Sequence, residues 1–202
     1  MDFELYGIID TKLRASDING AIILLEELLA AEKCDRFSSL VGTGFTNPPD
    51  IVLAYINKFI SSCESEFSIQ SAYLEMNGFD INSDFWFFSP FGYESYETDP
   101  DDLDWLSDWQ ADESTEIMPL TGLEIVQADY AWYHGERGDS DSSYTHAYDI
   151  ATLLVMVKFV ALVEAALSSG PLLKPIPVLA TAHEFDIVGR FIPVGFKKSI
   201  RG

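Results

Sequence analysis

Lysine and arginine are absent from the 78 residues between Lys58 and Arg137, although the chain has 12 of these residues in total. The same stretch holds 18 of the 33 aspartates and glutamates, 16 of the 27 aromatic residues and all four tryptophans. Nucleic acids and anionic membrane surfaces are bound through clustered basic side chains, so this composition argues against both ligand classes. It predicts an acidic, aromatic surface that either suits a cationic partner or serves solubility alone.

Cysteine is scarce, since only Cys34 and Cys63 are present. Both lie at the C-terminal ends of predicted helices that would pack antiparallel, which places them at opposite ends of the pair, so no disulfide is expected. The N-terminus, Met1-Asp-Phe-Glu4, lacks the basic and apolar regions of a secretory signal. These features predict a reduced, cytoplasmic protein.

Long apolar runs are also lacking. The nearest candidate for a membrane span, 150–167, is interrupted by Lys158 and Glu164, so no membrane span is expected and each charge needs a partner or a route to solvent. The hydrophobic share is nevertheless 48%, which is enough for a buried core despite a net charge of −21. We therefore predict a single globular domain over residues 1–202.

Complete catalytic and cofactor motifs are missing as well. Gly42-Thr-Gly44 has neither the third glycine of a dinucleotide fingerprint nor the Lys-Ser/Thr of a P-loop. Asp139-Ser-Asp141 begins like a calcium loop, but Tyr144 stands where that loop needs glycine. His183-Glu184 lacks the second histidine of a zinc protease. No cofactor or metal site is expected, and no motif identifies a known family.

One cluster of potential ligand residues keeps an enzyme in view. His134, Glu136, Asp139, Asp141 and His146 lie within thirteen residues, and all are ligand types. Their spacing matches no metal template. The alternative interpretation is a small hydrolase or metal-dependent enzyme with a site around His134–His146, set against a solvated loop that caps the next helix.

Helical spacing of apolar residues predicts four helices, at about 17–33, at 50–63, from a Thr121–Glu124 capping box to near Gly135, and at 144–168. Ser16 is the predicted N-cap of the first, and Pro49 is the predicted first residue of the second. The last helix is apolar nearly all round, which is typical of a central buried helix.

Alternating patterns predict strands at 69–76, at 85–88 and in a closing hairpin of 178–182 with 187–191, and a weaker pattern favours a short strand or ordered arm at 2–9. Pro90 and Gly92 are expected to end the second strand, and Pro175 and Pro177 to place the start of the hairpin at a sheet edge. The predicted fold is α+β, with a mostly antiparallel sheet of four to five strands packed against the long apolar helix and the N-terminal helix pair.

The loop from Glu94 to Glu116 is the most acidic part of the chain. Within it, apolar residues at 103, 105, 106 and 109 fit a short amphipathic turn, whereas Trp86 is expected in the core. Basic residues after Asp186 are expected to fold against the acidic stretch between Lys58 and Arg137; they are Arg190, Lys197, Lys198 and Arg201. The candidate partner-binding residues are Asp99, Asp101, Asp102, Asp104, Trp105, Asp108, Trp109, Asp112 and Glu113.

This combination favours an acidic cytoplasmic binding protein over an enzyme. Charge would steer the encounter with a basic protein partner, and aromatic anchors would supply the dry contact. One fitting partner is a basic enzyme such as a nuclease toxin, which an acidic immunity protein would inhibit. The other is a nucleic-acid-binding protein, for which carboxylates would replace phosphates. Direct binding to nucleic acid or to a membrane is not expected.

Overall fold

The computed structural model describes residues 3–79, 82, 85–112, 117–137 and 142–196, without the side chains of residues 136, 137, 142 and 143. The helices in this part of the chain are α1 (Phe3–Arg14), α2 (Ile18–Ala31), α3 (Pro49–Glu66), α4 (Glu124–Trp132) and α5 (Ser142–Ser168). The strands are β1 (Ser71–Asn77), β2 (Phe87–Tyr93), β3 (Ala111–Asp112), β4 (Met118–Pro119), β5 (Val178–Ala182) and β6 (Gly189–Phe191). Short 3-10 helices occupy Ser38–Leu40 and Asp104–Ser107, and a π-helical turn occupies Tyr133–Arg137.

The strands form one mixed sheet with the order β3-β2-β1-β5-β6, and β4 also pairs with β2. Four of the five pairings among the described strands are antiparallel, while β1 and β5 run parallel. The predicted α+β class is confirmed, but the sheet is mixed rather than purely antiparallel. The parallel pair is possible because the connection from β1 to β5 is long and contains α4 and α5.

The prediction of a strand or arm at 2–9 is wrong, because this stretch begins α1. Leu5, Ile9 and Leu13 recur every four residues and are all buried, which gives the helix one apolar stripe. Glu4 lies in the first turn and the last turn is basic, in agreement with the helix dipole. The 2–9 window spans only two turns of this repeat, too few to separate it from strand alternation.

The N-terminal helix pair, α2 and α3, is confirmed, with one change at a cap. Asp17, not Ser16, caps α2, since its Oδ1 accepts a hydrogen bond from the Gly20 N–H at 3.0 Å. Ser16 has a φ of +57°, a left-handed conformation that the usual N-cap geometry does not use. Pro49 is the first residue of α3, where its missing N–H costs no intrahelical bond.

The predicted capping box at the start of α4 is wrong. The Thr121 hydroxyl does not cap the helix, because it contacts the side-chain oxygens of Thr46 at 3.1 Å and Asn47 at 3.3 Å. The Glu124 carboxylate accepts a hydrogen bond from the Gly122 N–H instead, at 2.9 Å. Thr121 therefore ties the 44–47 loop to the start of α4.

Strand β2 continues through Pro90 and Gly92, so the prediction that these residues end it is wrong. The Gly92 carbonyl accepts a hydrogen bond from the Gln110 N–H, on the side of β3. Because backbone groups of alternate residues point to the same side of a strand, the missing N–H of Pro90 faces that side too. Pro90 lies between the part paired with β4, 87–88, and the part paired with β3, 91–92, so no ladder bond is lost.

The closing hairpin of β5 and β6 is confirmed, with Val178 opposite Phe191. Its first strand does not start at an edge, because β5 lies between β1 and β6. Pro177 precedes the strand, and its carbonyl accepts a hydrogen bond from the Ala72 N–H at 3.0 Å. The prolines therefore lead into an interior strand without interrupting it.

One face of the sheet, called the inner face, packs against α3 and α5, and α2 packs on α5. Gly189 allows α5 to approach closely, since a Cβ there would lie 2.4 Å from Val160 Cγ1. Residues 144–168 have the length and apolarity of a membrane span, yet 78% of their most apolar window is buried inside the domain. That burial is the pattern of a core helix.

Candidate partner-binding face

The face of the sheet that points away from α5, called the outer face, is partly covered by residues 94–112, called the acidic segment. Side chains alternate along each strand, so Tyr73, Tyr93 and Leu179 point to the outer face. They form a second hydrophobic cluster, separate from the main core, and Trp105 and Leu106 of the acidic segment pack against it. The acidic segment is therefore a packed layer on the sheet and not a free loop.

Trp105 is the main attachment of this layer. Its ring meets Tyr93 at a centroid distance of 4.9 Å and Tyr96 at 5.9 Å, both edge to face. Its indole Nε1–H donates to the Asp102 carbonyl at 3.1 Å, and the Tyr93 hydroxyl donates to the Leu106 carbonyl at 2.9 Å. These contacts hold the 3-10 helix at 104–107 in place, so the neighbouring carboxylates have defined positions.

Two arginines hold the start of the segment. Arg14 of α1 pairs with Asp101 at 2.8 Å, and Arg190 of β6 donates from Nη2 to the Pro100 carbonyl at 3.0 Å. Arg190 thus lies against the acidic segment, as expected for the basic residues near the end of the chain. The other predicted basic residues, Lys197, Lys198 and Arg201, lie outside the described part of the chain.

The predicted carboxylates lie together on this segment and are exposed; they are Asp99, Asp101, Asp102, Asp104, Asp108 and Asp112. Asp99 and Asp102 each accept a hydrogen bond from a backbone N–H two residues later, which fixes local turns. Among the described residues, only Asp101 of this set forms a salt bridge. Glu113 lies outside the described residues.

The two predicted tryptophans have different environments. Trp105 is half-buried in the outer cluster, whereas the Trp109 side chain is 47% exposed and contacts Phe91 at a ring distance of 5.5 Å. Trp86 is 1% exposed and lies in the core, as predicted. Trp109 is therefore the tryptophan of the acidic segment with surface to offer a partner.

Sequence reasoning missed an aromatic surface beside the acidic segment. Phe87 and Phe91 of β2 point to the outer face and are only partly buried, while Phe85 is 45% exposed and contacts Phe87 at 5.8 Å. Together with Trp109 they form what we call the aromatic row. The signal was the run Phe85-Trp-Phe-Phe88, which is apolar at every position; it predicts a strand, but it does not show which phenylalanines stay exposed.

A hydrogen-bonded carboxylate lies next to this row. Glu75 accepts a hydrogen bond from the Tyr73 hydroxyl at 3.0 Å and pairs with His183 Nδ1 at 2.9 Å. Burial of the phenol, followed by the charge of Glu75, raises the pKa of Tyr73 well above its ordinary value. Burial, again followed by Glu75, raises the pKa of Tyr93. Glu75 is thus held at both oxygens and is 17% exposed at its side chain.

The alternative site around His134–His146 is not assembled by the residues that the structure describes. His134 packs edge to face on Tyr133 and Tyr148, and His146 Nδ1 pairs with Glu32 of α2 at 2.8 Å. Asp139, Asp141 and the side chain of Glu136 lie outside the description. Within the described ranges, no three histidine, cysteine or acidic side chains converge in a way that suits a metal ion.

The helices on the inner face of the sheet, α2, α3 and α5, are called the helix layer. They contain a buried ion pair that the sequence did not predict. Lys158 of α5 is 6% exposed, and its Nζ donates to Glu26 Oε1 at 2.6 Å, to the Leu40 carbonyl at 3.1 Å and to the Thr43 carbonyl. Burial alone would raise the pKa of Glu26, but hydrogen bonds from Lys158 and the Gly42 N–H lower it. The pair borders an open cavity of about 580 Å³. All three ammonium protons are used, so Lys158 fixes the 40–44 loop.

Comparison with known proteins gave no matching family model, no matching curated protein and no matching solved structure.

Proposed function

We propose that this chain is an acidic cytoplasmic binding protein that neutralises a basic protein partner through its acidic segment and aromatic row. The supporting observation is the arrangement of the segment. Its aromatic side chains fix it to the sheet, while its six predicted aspartates are exposed; of these six, within the described residues, only Asp101 forms a salt bridge. Exposed like charges on a rigid scaffold raise the rate of encounter with an oppositely charged surface.

Inhibition of a basic enzyme, such as a nuclease toxin, is the activity that suits this surface. An enzyme that acts on nucleic acid carries a basic cleft, and ordered carboxylates on a packed layer supply charges comparable to a row of phosphates. The same chemistry fits a basic nucleic-acid-binding protein as the target. Both candidate partners would bind in the same way, and the experiment below identifies which of the two the chain binds.

The test is capture of a partner from a lysate of the native host at low and at high salt, with bound proteins identified by mass. We expect one basic protein that is released as salt rises, because screening weakens exposed ion pairs. Its affinity for the purified chain is then measured with Asp104, Asp108 and Asp112 changed together to asparagine. These aspartates are exposed, and within the described part of the chain none of them forms a salt bridge that the change would break.

A matched control variant separates the effect of charge on the acidic segment from the effect of total net charge on affinity. Glu27, Asp50 and Glu164 are exposed carboxylates on helices away from the acidic segment, and changing them to amides removes the same net charge. The first variant should lose affinity at least tenfold, while the second should stay within about twofold of the original protein. Equal losses in both variants would reduce the interaction to net charge, and an empty capture at both salts would reject the proposal in favour of substrate screens around His134 and His146.

A further inference from the structure

The outer face of β2 is covered at one end and open at the other. Phe87, Ser89, Phe91 and Tyr93 all point outward, but only Tyr93 is fully buried, because Trp105 packs on it. The cover ends at Phe91, which belongs to the rim of the outer cluster. Between Phe87 and Phe91 lie four residue steps, so the open part is about 13 Å long.

This open part is unusually aromatic for a surface without a cover. Phe85, Phe87 and Trp109 belong to neither of the two hydrophobic clusters, although each is large enough to contribute to a core. Phe85 and Trp109 each expose nearly half of their surface. Adjacent exposed aromatic side chains on a fixed scaffold are a common feature of protein interfaces, where tryptophan in particular contributes strongly to affinity.

Carboxylates flank the row on both sides. In the sheet register Asp112 lies opposite Phe91 on the β3 side, and Glu75 lies opposite Ser89 on the β1 side. Residues opposite each other share a face, with Cβ atoms about 5 Å apart. The Phe91 end of the row therefore combines apolar rings with the exposed carboxylate of Asp112, which complements a side chain that is both cationic and flat.

Elsewhere in the chain, a tryptophan ring and an aspartate carboxylate already bind an arginine. The Arg36 guanidinium lies 4.2 Å from the centroid of the Trp132 ring, and its Nη1 donates to Asp129 Oδ1 at 3.2 Å. A guanidinium stacks on an indole through its planar face and bonds a carboxylate through its edge, whereas a lysine ammonium is a more strongly hydrated point charge. The internal site shows that a tryptophan and an aspartate in this fold hold arginine together.

We propose, on the basis of the function proposed above, that the aromatic row receives an extended, arginine-bearing segment of the basic partner. One arginine stacks on Trp109 and pairs with Asp112, and the apolar stems of the segment lie on Phe91 and Phe87. Alternate side chains of an extended segment are about 7 Å apart, so three of them span the open part of β2. The acidic segment then steers the partner, and the aromatic row selects arginine over lysine.

The test uses two synthetic peptides in which threonine alternates with arginine in one and with lysine in the other. Their affinities for the full chain are measured by calorimetry at physiological ionic strength. We expect the arginine peptide to bind about fivefold more tightly than the lysine peptide, because the planar guanidinium stacks on the ring and bonds the carboxylate at once, whereas the ammonium is a hydrated point charge. In Trp109→Ala this preference should disappear. Phe3→Ala is the matched control, because Phe3 is 86% exposed on α1 and its loss should leave the preference unchanged.

The outcomes separate this inference from the function on which it rests. Binding of both peptides with equal affinity, weakened by the change of Asp104, Asp108 and Asp112 but not by Trp109→Ala, would overturn the arginine site and keep the acidic binding surface. Binding of neither peptide by the unmodified chain would count against both. Loss of the arginine preference in Asp112→Asn, but not in Glu27→Gln, would confirm the carboxylate of the site.

Discussion

The helix layer and the acidic segment lie on opposite faces of one sheet, and they hold charge in different ways. In the helix layer, Lys158 and Glu26 form a buried pair, and backbone carbonyls take the remaining ammonium protons. On the acidic segment, Asp104 and Asp108 are exposed, and Trp105 packs against the outer hydrophobic cluster next to them. The first arrangement uses charge to fix a loop, and the second uses aromatic packing to fix charge.

This difference follows from the cost of desolvation. A charge that leaves water must find a partner at good geometry, so the buried pair has one, whereas an exposed carboxylate keeps its hydration and needs none. Burial therefore distinguishes the structural charges of the Lys158–Glu26 pair from the exposed carboxylates that we propose bind a partner. Substitutions on the two faces should act on different observables, stability on one and binding on the other.

The largest expected effect is on the helix layer. Lys158→Met should lower the free energy of unfolding by about 3 kcal/mol or more, because it leaves the Glu26 carboxylate partly buried without its cation. Urea denaturation followed by circular dichroism measures this change. The double variant Lys158→Met with Glu26→Gln should recover a substantial part of the loss, since neither charge remains. Equal destabilisation in the single and double variants would show that lost packing, not the unpaired charge, dominates.

A smaller effect should separate the two tryptophans of the acidic segment. Trp105→Ala removes a half-buried ring from the outer cluster and should cost about 2 kcal/mol, whereas Trp109→Ala should change stability by less than about 0.5 kcal/mol. Limited proteolysis supplies a second readout, because a released acidic segment should be cleaved within residues 94–112. Similar stability losses in both variants would contradict the assignment of Trp105 to the scaffold and Trp109 to the surface.

The sequence predicts the elements of the helix layer well and their assembly less well. Helices α2, α3 and α5 have long apolar repeats, and the β5–β6 hairpin has clear alternation, so each could be found from local spacing. The parallel pairing of β1 with β5 could not be predicted from local spacing, because it depends on the path of the long connection between the two strands. The sequence predicts too early an end for strand β2, because a strand accepts a proline only where the proline nitrogen faces no hydrogen-bonded neighbour, and spacing along the chain does not show this.

The candidate site shows the same division between local and distant information. Its acidic residues are visible as a run of carboxylates, and all described members do lie on one segment. The different environments of Trp105 and Trp109 depend on Tyr93 and Phe91 beneath them, which spacing along the chain does not reveal. The partner of Lys158 was equally hidden, because Glu26 lies 132 residues away.

The smallest effect, and the most direct comparison of the two faces, comes from buried phenols. Burial raises the pKa of Tyr93, which lies under the acidic segment. Burial also raises the pKa of Tyr130, which lies in the main core. A raised pKa means that the folded state disfavours tyrosinate, so this contribution to stability is complete below pH 10 and is lost as pH rises above 10. Each such phenol should lower the free energy of unfolding by about 1.4 kcal/mol per pH unit in that range.

Tyr93→Phe and Tyr130→Phe make this comparison specific to one face each. Each variant should reduce the slope of stability against pH above 10 by the share of one phenol, measured by urea denaturation at a series of alkaline pH values. The Tyr93 hydroxyl donates to the Leu106 carbonyl, and that of Tyr130 shares a bond with Thr152, so both variants also lose one hydrogen bond at neutral pH. If only Tyr130→Phe changes the slope, Tyr93 ionises without global unfolding, and the acidic segment must open from the sheet as a separate unit.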